Sequence, residues 1–525
     1  MLDILIKNGE IVDGTGKSRF KADIGILNSR IEKVSPIINE EANETIDARG
    51  FIVSPGFIDI HAHTDLGMSY DTKVFYKIKQ GITTDLSGNC GLSVAPRKKN
   101  REQEKSYNFK NFSEYIKKLE TIELGINVAS LIGHGTVRDY VVGFKEKITA
   151  SEIERMKKII DESMFEGAFG LSTGLVYAPG CYADTQEIID LCKIVSKYDG
   201  IYTTHMRGLR ETFVVATKEA IKVGEEANLP VQLSHYVPQY GGWGLCKKGI
   251  PLIEDACSRG LDVTFDIHLD TVGGTSIGDA LPVWVKDGGI NQLAARLKEK
   301  EVCNRLKSEM PDFIGPGTSG LIKHGKWDII RITGGLSKNN RYLGKTIKEV
   351  IDETGKDPFE VLFDLIVDEG TDSFYITGLY NDEDDIRYTL RNHLSMVATD
   401  AAFDTKWDIK APRTYSTMPR LLGKYVREEK LLSLEEAVKK ITYAPAQRMG
   451  LKDRGIITKG AWADITIFDL ETILEGATDK EFLEGKDYKK TYPTGVKFVI
   501  INGKIVINNG EFTGILSGRA LRRGD

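Results

Sequence analysis

Short strands separated by turns fill both ends of the chain. In the first 55 residues, apolar-rich segments such as Asp3–Ile6 are divided by Asn-Gly and Asp-Gly turn signals. Near the C-terminus, Val496–Ile501 and Lys504–Ile507 flank an Asn-Gly pair, which is the pattern of a β-hairpin. Neither group buries much apolar surface alone. The pattern therefore predicts one small β-sandwich domain built from both chain termini, residues 1–55 and 451–525.

Strands and helices alternate between these two ends. Capping-box patterns at Thr149–Glu152 and Ser433–Glu436 predict helix starts, and Asp184 is placed to cap a further helix. Eight strands with helical crossovers favour an α/β fold, a (β/α)8 TIM-like barrel over residues 56–450, although a doubly wound sheet would show the same alternation. The candidate strands are Gly56–Ile60, Ile82–Leu86, Asn127–Ile132, Ala168–Leu171, Ile201–Thr204, Val231–Ser234, Val263–Ile267 and Leu394–Ala398.

The seventh and eighth candidate strands are separated by an unusually long segment. About 125 residues lie between Val263–Ile267 and Leu394–Ala398, far more than an ordinary crossover needs. The spacing predicts an insertion between strands seven and eight, over residues 285–350, and this insertion is a candidate lid.

Composition describes an ordinary globular chain. Of 525 residues, 41% are hydrophobic and 28% are charged, which suits a protein with a sizeable core. The net charge of −5 gives no electrostatic reason to expect nucleic acid or a membrane surface as a partner. No apolar run approaches the ~18 residues of a membrane span. The six scattered cysteines form no CxxC, and no signal-peptide pattern is visible, so a cytoplasmic location is expected.

Potential metal ligands follow the first strand. His61 and His63 stand two positions apart, and residues i and i+2 of a strand face the same side. Two neutral imidazoles on one face would provide half of a metal site. The spacing alone fits two unrelated surface histidines equally well.

Further ligand-type residues stand at the ends of other strands. Cys90 follows strand two, His205 follows strand five, His235 follows strand six and Asp400 follows strand eight. Each one alone fits a structural role, but all strand ends of a parallel barrel meet at one mouth. A thiolate with imidazoles suits Zn²⁺. Beside a metal, Asp400 could act as a ligand or accept a proton from metal-bound water.

Motifs along nearly the whole chain carry a family resemblance. They are Pro55–His63, Gly88-Asn89-Cys90-Gly91, Gly133–Thr136, Gly170–Leu175 with Tyr177 and Pro179, His205–Arg207, Ser234-His235, Thr399-Asp400, Pro412-Arg413, and Gly460 with Ala463-Asp464. Through these motifs the sequence resembles the amidohydrolase superfamily, and most closely its N-acyl-D-amino-acid deacylases (D-aminoacylases). Cys90 is the most specific mark, because many relatives use a carboxylated lysine to bridge metals.

The resemblance implies a barrel with a small β-domain formed by both termini. It implies that Cys90, His205 and His235 hold a tight zinc ion. The two strand-one histidines, with Asp400, would form a second and weaker metal position. Asp400 would serve as general base and acid.

The substrate-binding part of the sequence departs from the family pattern. The lysine that usually follows the strand-six histidine by two positions is Val237, and Asp270 replaces a tyrosine that helps to hold the substrate carboxylate. Arg413 remains as a candidate carboxylate anchor, and Asp270 would add a negative charge near the pocket. Tyr177 and His134 are further candidates for lining the pocket, and each of them also fits a structural role.

Together these features predict a zinc-dependent enzyme that hydrolyses a linear amide bond of a small molecule, foremost that of an N-acyl-D-amino acid. Metal-bound hydroxide would attack the carbonyl carbon while Asp400 takes up and returns the proton. Two alternatives stay open. One is a cyclic amidase of the dihydroorotase or hydantoinase type, and the other is a catalytically silent binding or scaffold protein on the same barrel.

Overall fold

The computed structural model describes residues 1–68, 71–97, 109–311, 319–334, 340–369, 375–402, 411–484 and 491–525. Parts of the predicted insertion, residues 312–318 and 335–339, lie outside the described residues. None of the helices in the described part of the chain combines the length and apolar character needed to cross a bilayer.

The described strands are two to ten residues long. They are β1 Leu2–Ile11, β2 Phe20–Leu27, β3 Arg30–Ser35, β4 Ala42–Asp47, β5 Ile52–Pro55, β6 Phe57–Asp59, β7 Ala62–His63, β8 Ile82–Ser87, β9 Asn127–Ser130, β10 Ile132–Gly133, β11 Gly170–Gly174, β12 Ile201–His205, β13 Val231–Leu233, β14 Val263–Ile267, β15 Val272–Ser276, β16 Arg331–Gly334, β17 Tyr375–Leu379, β18 Ser395–Val397, β19 Ala401–Ala402, β20 Ile465–Phe468, β21 Val496–Ile501, β22 Lys504–Asn508 and β23 Glu511–Phe512.

The described α-helices lie between β7 and β21. They are α1 Phe75–Ile78, α2 Phe112–Leu119, α3 His134–Val141, α4 Ala150–Phe165, α5 Thr185–Ser196, α6 Phe213–Ala227, α7 Cys246–Ser258, α8 Val283–Lys286, α9 Ile290–Arg296, α10 Lys300–Glu309, α11 Ser319–Lys323, α12 Ile347–Thr354, α13 Pro358–Glu369, α14 Glu383–Arg391, α15 Arg413–Arg420, α16 Leu434–Lys440, α17 Tyr443–Met449 and α18 Asp479–Leu483. The predicted caps are confirmed: Thr149 and Ser433 form capping boxes, and the Asp184 side chain accepts the Glu187 N–H.

Strands from both termini share one nine-stranded sheet. Its order is β23-β22-β21-β20-β5-β1-β2-β3, and β4 also pairs with β1. The predicted hairpin is present, because β21 and β22 pair across Asn502 and Gly503. Both turn residues have positive φ, 47° and 75°, as a two-residue turn of this kind requires. Only one residue separates β5 of this sheet from β6, which leads to His61.

Parallel strands form the centre of the molecule in two sheets. One has the order β6-β8-β9 and the other β10-β11-β12-β13-β14-β18, and each predicted strand overlaps a strand of these sheets. A single residue, Leu131, separates β9 from β10, and β7 pairs in parallel with β19. One cluster of buried side chains draws on both sheets, including Ile58, Leu86, Phe169 and Met396. The two sheets therefore share one cluster of buried apolar side chains.

The segment between β14 and β18 has a core of its own. It contains the antiparallel sheet β15-β17-β16 and a separate cluster of buried side chains that includes Leu281, Ile322, Ile347 and Leu362. The described elements of this segment extend on both sides of the predicted limits at 285 and 350.

We expect the buried side chain of Asn502 to hold the terminal sheet against the central strands. It donates to Asn127 Oδ1 and to Ser517 O, both at 2.7 Å, and accepts from Arg454 at 2.9 Å. Asn502→Ala should lower the free energy of unfolding by about 2–4 kcal/mol, measured by urea denaturation, because these buried groups lose their partner.

Asn509→Ala is the matched control. Asn509 has the same left-handed φ, 48°, and also precedes a glycine, but its side chain is exposed. The decrease in the free energy of unfolding in Asn509→Ala should be less than half of that in Asn502→Ala. Equal losses in both variants would assign the effect to turn conformation alone.

Candidate metal centre

A buried thiol lies at the centre of the predicted site. Cys90 follows β8 with φ of 53°, an uncommon conformation for a residue other than glycine. Its Sγ lies 3.3 Å from His61 Nε2, 3.6 Å from His235 Nε2 and 3.8 Å from His205 Nδ1. The structure thus brings three of the predicted histidines around one sulfur atom.

Asp400 lies beside the same cluster. Its Oδ1 is 3.3 Å from His63 Nε2 and 3.4 Å from His61 Nε2. The backbone N–H of Asp400 donates to His61 O at 2.9 Å, which joins the ends of strands one and eight. All six residues predicted as metal ligands therefore lie together.

The donor atoms fall into two groups that share Cys90. One group is Cys90, His205 and His235, and the other is His61, His63, Cys90 and Asp400; within each group the ligand atoms lie within 4.8 Å of one another. A soft thiolate with imidazoles is a donor set typical of Zn²⁺, and a carboxylate oxygen extends it. The chemistry of these residues fits a zinc site.

The buried charges at this cluster favour a thiolate. Burial alone would raise the pKa of Cys90, but His61 and the hydrogen bonds from His205 and His235 hold it well below its usual range. Burial would lower the pKa of His61, but Asp266 and Cys90 raise it well above 6.5. Burial and the neighbouring His235 lower the pKa of His205 to about 4, so its ring is neutral. Thiolate and neutral imidazole are the forms that bind metals, so Cys90 and His205 are in their metal-binding forms. His61, with its raised pKa, would release a proton when it binds a metal.

Asp266 orients two of these groups, and the sequence reasoning gave it no role. Its Oδ1 lies 3.0 Å from His61 Nδ1 and accepts the His235 N–H at 2.7 Å, while Oδ2 accepts from Gln232 Nε2 at 2.9 Å. A carboxylate at Nδ1 fixes the orientation of the His61 ring, so that Nε2 faces Cys90 and Asp400. One feature of the sequence could have indicated this role: Asp266 lies near the end of β14, and the adjacent strands β13 and β18 lead to His235 and Asp400.

Arg413 contacts Asp400 directly. Its Nη2 lies 3.3 Å from Asp400 Oδ2 and its Nε donates to Asp400 O at 3.0 Å. Burial would raise the pKa of Asp400, but Arg413 and the hydrogen bond from His63 hold it well below its usual range. The carboxylate is therefore ionised at neutral pH. Asp404, an alternative partner for Arg413, lies outside the described residues.

Asp270 has a different environment from the one its sequence position suggested. It is fully buried, its Oδ1 accepts from Arg420 Nη1 at 2.8 Å and its Oδ2 accepts the Arg413 N–H at 2.8 Å. Burial and the neighbouring Asp479 raise its pKa to about 7. Because Arg420 pairs with the Asp270 carboxyl group inside the protein, the direct effect of Asp270 on a substrate should be weak.

The other two candidates, Tyr177 and His134, have different hydrogen-bond partners. The Tyr177 hydroxyl lies 3.3 Å from His205 Nδ1. The His134 ring is fully buried, and its Nε2 lies 2.9 Å from Glu187 Oε1, which also accepts from Arg138. This network supports the structural interpretation of His134, whereas Tyr177 lies beside the predicted ligands.

Known proteins resemble this chain along nearly its whole length. The profile of the Amidohydrolase family matches residues 52–506. A D-aminoacylase of Alcaligenes xylosoxydans xylosoxydans is 30% identical over 532 residues, covering 99% of this chain and 98% of the relative. An N-acyl-D-glutamate deacylase from the same organism is also 30% identical, covering 99% and 97%.

A solved structure is similar along its whole length. The N-acyl-D-glutamate deacylase of Bordetella bronchiseptica, complexed with zinc and a phosphonate inhibitor that mimics the tetrahedral intermediate, has a TM-score of 0.82. Its sequence is 27% identical, and the superposition covers 99% of each chain.

Cys90→Ala should lose most bound zinc, because it removes the thiolate that both groups of donor atoms share. His61→Asn should weaken mainly the group that contains Asp400. Zinc per chain, measured by elemental analysis after dialysis, checks both expectations.

Cys192→Ala is the matched control, since Cys192 is another fully buried free cysteine and lies in α5. It should lose some stability and keep its zinc. Full zinc occupancy in Cys90→Ala would mean that Cys90 is a structural cysteine like Cys192.

Proposed function

This chain belongs to the D-aminoacylase family of amidohydrolases, and we propose that it is a zinc-dependent deacylase that hydrolyses the amide bond of N-acyl-D-amino acids. The observation that carries this proposal is the Cys90 sulfur surrounded by three imidazoles, with the Asp400 carboxylate beside them. The full-length similarity to two N-acyl-D-amino-acid hydrolases supports the choice of substrate.

We assign Cys90, His205 and His235 to a tight zinc position. His61, His63 and Asp400, together with Cys90, would hold a weaker second metal ion, since Cys90 belongs to both donor groups. When bound, zinc acts as a Lewis acid that polarises the amide carbonyl and lowers the pKa of water.

Asp400 moves the proton in this mechanism. Its low pKa keeps the carboxylate ionised and ready to accept the proton of the attacking water. The carboxylate then returns that proton to the leaving nitrogen, so that the products are a carboxylic acid and a D-amino acid. Contacts with Arg413 and His63 fix the position of the carboxylate, and Asp266 fixes the orientation of His61.

The fold organises this chemistry. We assign the parallel strands to a (β/α)8 barrel over residues 56–450, with the ligands at one mouth. The terminal sheet belongs to a second domain from residues 1–55 and 451–525. The insertion between strands seven and eight, predicted over 285–350, is a candidate lid over that mouth.

A cyclic amidase is the second candidate. Val237 and Asp270 replace residues that help to hold a carboxylate in the family, and the Arg413 guanidinium is engaged with Asp400. A substrate without a free carboxylate would need no carboxylate-binding residue at these positions. A silent scaffold is disfavoured because the donor set and Asp400 are complete. Turnover of N-acetyl-D-amino acids, their L-forms, dipeptides and hydantoins by the zinc-loaded protein separates all three; hydrolysis of hydantoins alone would favour the cyclic amidase.

Asp400→Asn keeps the size of the side chain and removes the base. We expect the variant to fold and retain zinc at the tight position, while kcat falls by roughly 10²–10⁴. Near-normal turnover, with zinc confirmed, would mean that another group accepts the proton. His63, whose Nε2 lies 3.3 Å from Asp400 Oδ1, would be the first group to test.

Arg413→Lys keeps the charge and loses the planar fork that matches a carboxylate. If Arg413 anchors the substrate carboxylate, KM for an N-acetyl-D-amino acid should rise at least about tenfold. The matched control is the same substrate with its carboxylate amidated, for which KM should change little. Equal losses on both substrates would show that Arg413 only braces Asp400.

A further inference from the structure

A lysine and two aspartates are fully buried together below the metal centre. Lys77 lies in the short helix α1, and its Nζ is 2.5 Å from Asp59 Oδ2 and 3.4 Å from Asp85 Oδ2. All three side chains are 0% exposed. A buried ammonium is costly without a partner, and an apolar side chain of similar size could fill the same space at no such cost. The charged group therefore calls for an explanation beyond packing.

Asp59 connects this lysine to the ends of strands one and eight, which carry the histidine pair and Asp400 respectively. Its Oδ1 accepts the Thr399 N–H at 2.9 Å and faces the His61 N–H at 3.4 Å. Its Oδ2 accepts the Thr399 hydroxyl at 2.6 Å as well as Lys77 Nζ. Four donors thus converge on one carboxylate, which is as many as it can readily accept.

The Thr399 hydroxyl extends this network around Asp400. It accepts the Ala401 N–H at 3.1 Å while it donates to Asp59. The residues on both sides of Asp400 are therefore held by one hydroxyl. Asp400 itself has a φ of 47°, a conformation that non-glycine residues maintain only where their surroundings enforce it.

The start of α1 is also enforced. Val74 precedes the helix with φ of 44° and ψ of 46°, and it is buried. A β-branched residue in this left-handed region is a genuine outlier. Strain at this point persists because the surrounding structure determines where α1, and hence Lys77, is placed.

We propose that Lys77 and Asp59 are positioning residues for Asp400: the ammonium holds the Asp59 carboxylate, which fixes Thr399 and, through it, the backbone on both sides of Asp400. The inference rests on the proposed role of Asp400. Neither residue touches the substrate, so the network should act on the chemical step and leave substrate binding unchanged.

Lys77→Met keeps an unbranched side chain, one heavy atom shorter than lysine, and removes its charge. The zinc-loaded variant should show a kcat at least about tenfold below wild type on an N-acetyl-D-amino acid, with KM within about twofold, because small misplacements of a reacting group lower the rate of the chemical step. Activity is normalised to folded, zinc-containing chains. Unchanged kcat per such chain would overturn the proposal.

Thr399 provides a second and milder test. Thr399→Val removes the hydroxyl at nearly constant volume and should lower kcat at least about tenfold, whereas Thr399→Ser keeps the hydroxyl and should restore most of it. A purely structural role would lower the Tm of the valine variant without this split between kcat and KM. Equal kcat in the valine and serine variants would contradict the relay through Thr399.

Arg454→Met is the matched control for removing a buried charge. Arg454 pairs with Asp464, and both side chains are 3% exposed, but the pair lies beside the terminal sheet, where Asp464 directly precedes β20. It should lower Tm and leave kcat unchanged. If Lys77→Met fails to fold, Lys77→Met/Asp59→Asn/Asp85→Asn removes all three buried charges. This triple variant should recover stability while kcat stays low, and wild-type kcat in it would overturn the proposal.

Asp400→Asn, measured in parallel, separates this inference from the proposed function. Low activity in Asp400→Asn with normal activity in Lys77→Met rejects only the positioning network. Normal activity in both rejects the role of Asp400, and the inference fails with it.

Discussion

The structure of the site depends on one constraint: several strand ends must bring their ligand-type side chains to a single buried sulfur. Cys90, His235 and Asp400 all have positive φ, and each such conformation costs about 1–3 kcal/mol. The close approach of neighbouring strand ends adds to this constraint. A Cβ on Gly91 would lie 2.7 Å from Gly174 N, so only glycine fits directly after Cys90. Strain concentrated in this way is typical of functional sites.

Buried carboxylates stabilise this arrangement through hydrogen bonds to the ligand residues and to their neighbours in the chain. Asp266 bonds to the His61 ring and to the His235 backbone, and Asp59 bonds to Thr399 and to Lys77. Such groups are tolerated in the interior because each is matched by donors or by an opposite charge. These contacts fix the directions of the ligand-type side chains.

The surrounding elements are connected to the site through short links. The terminal sheet reaches it through β5 and β6, which are separated by one residue. The segment between β14 and β18 reaches it through Asp270, whose Oδ2 accepts the N–H of Arg413, and Arg413 in turn contacts Asp400. Changes in either region can therefore reach the ligands through few contacts.

The sequence alone determined the features that depend on local pattern. Each of these features depends on only a few neighbouring residues, so it can be recognised without a structure. They are the histidine pair after strand one, the ligand-type residues at strand ends, the Asn502-Gly503 turn and the capping boxes. The joining of both termini also followed from pattern, because neither set of strands could bury its apolar face alone.

Tertiary structure decided which polar side chains meet. Asp270 pairs with Arg420, Arg413 with Asp400 and His134 with Glu187, and each pair joins residues from different elements. Lys77 and Asp266 gained their roles in the same way. In each case, the direction of a buried side chain follows from how distant elements pack, and local pattern carries no information about that. The chemistry was readable from residue types at strand ends, while its positioning came from long-range packing.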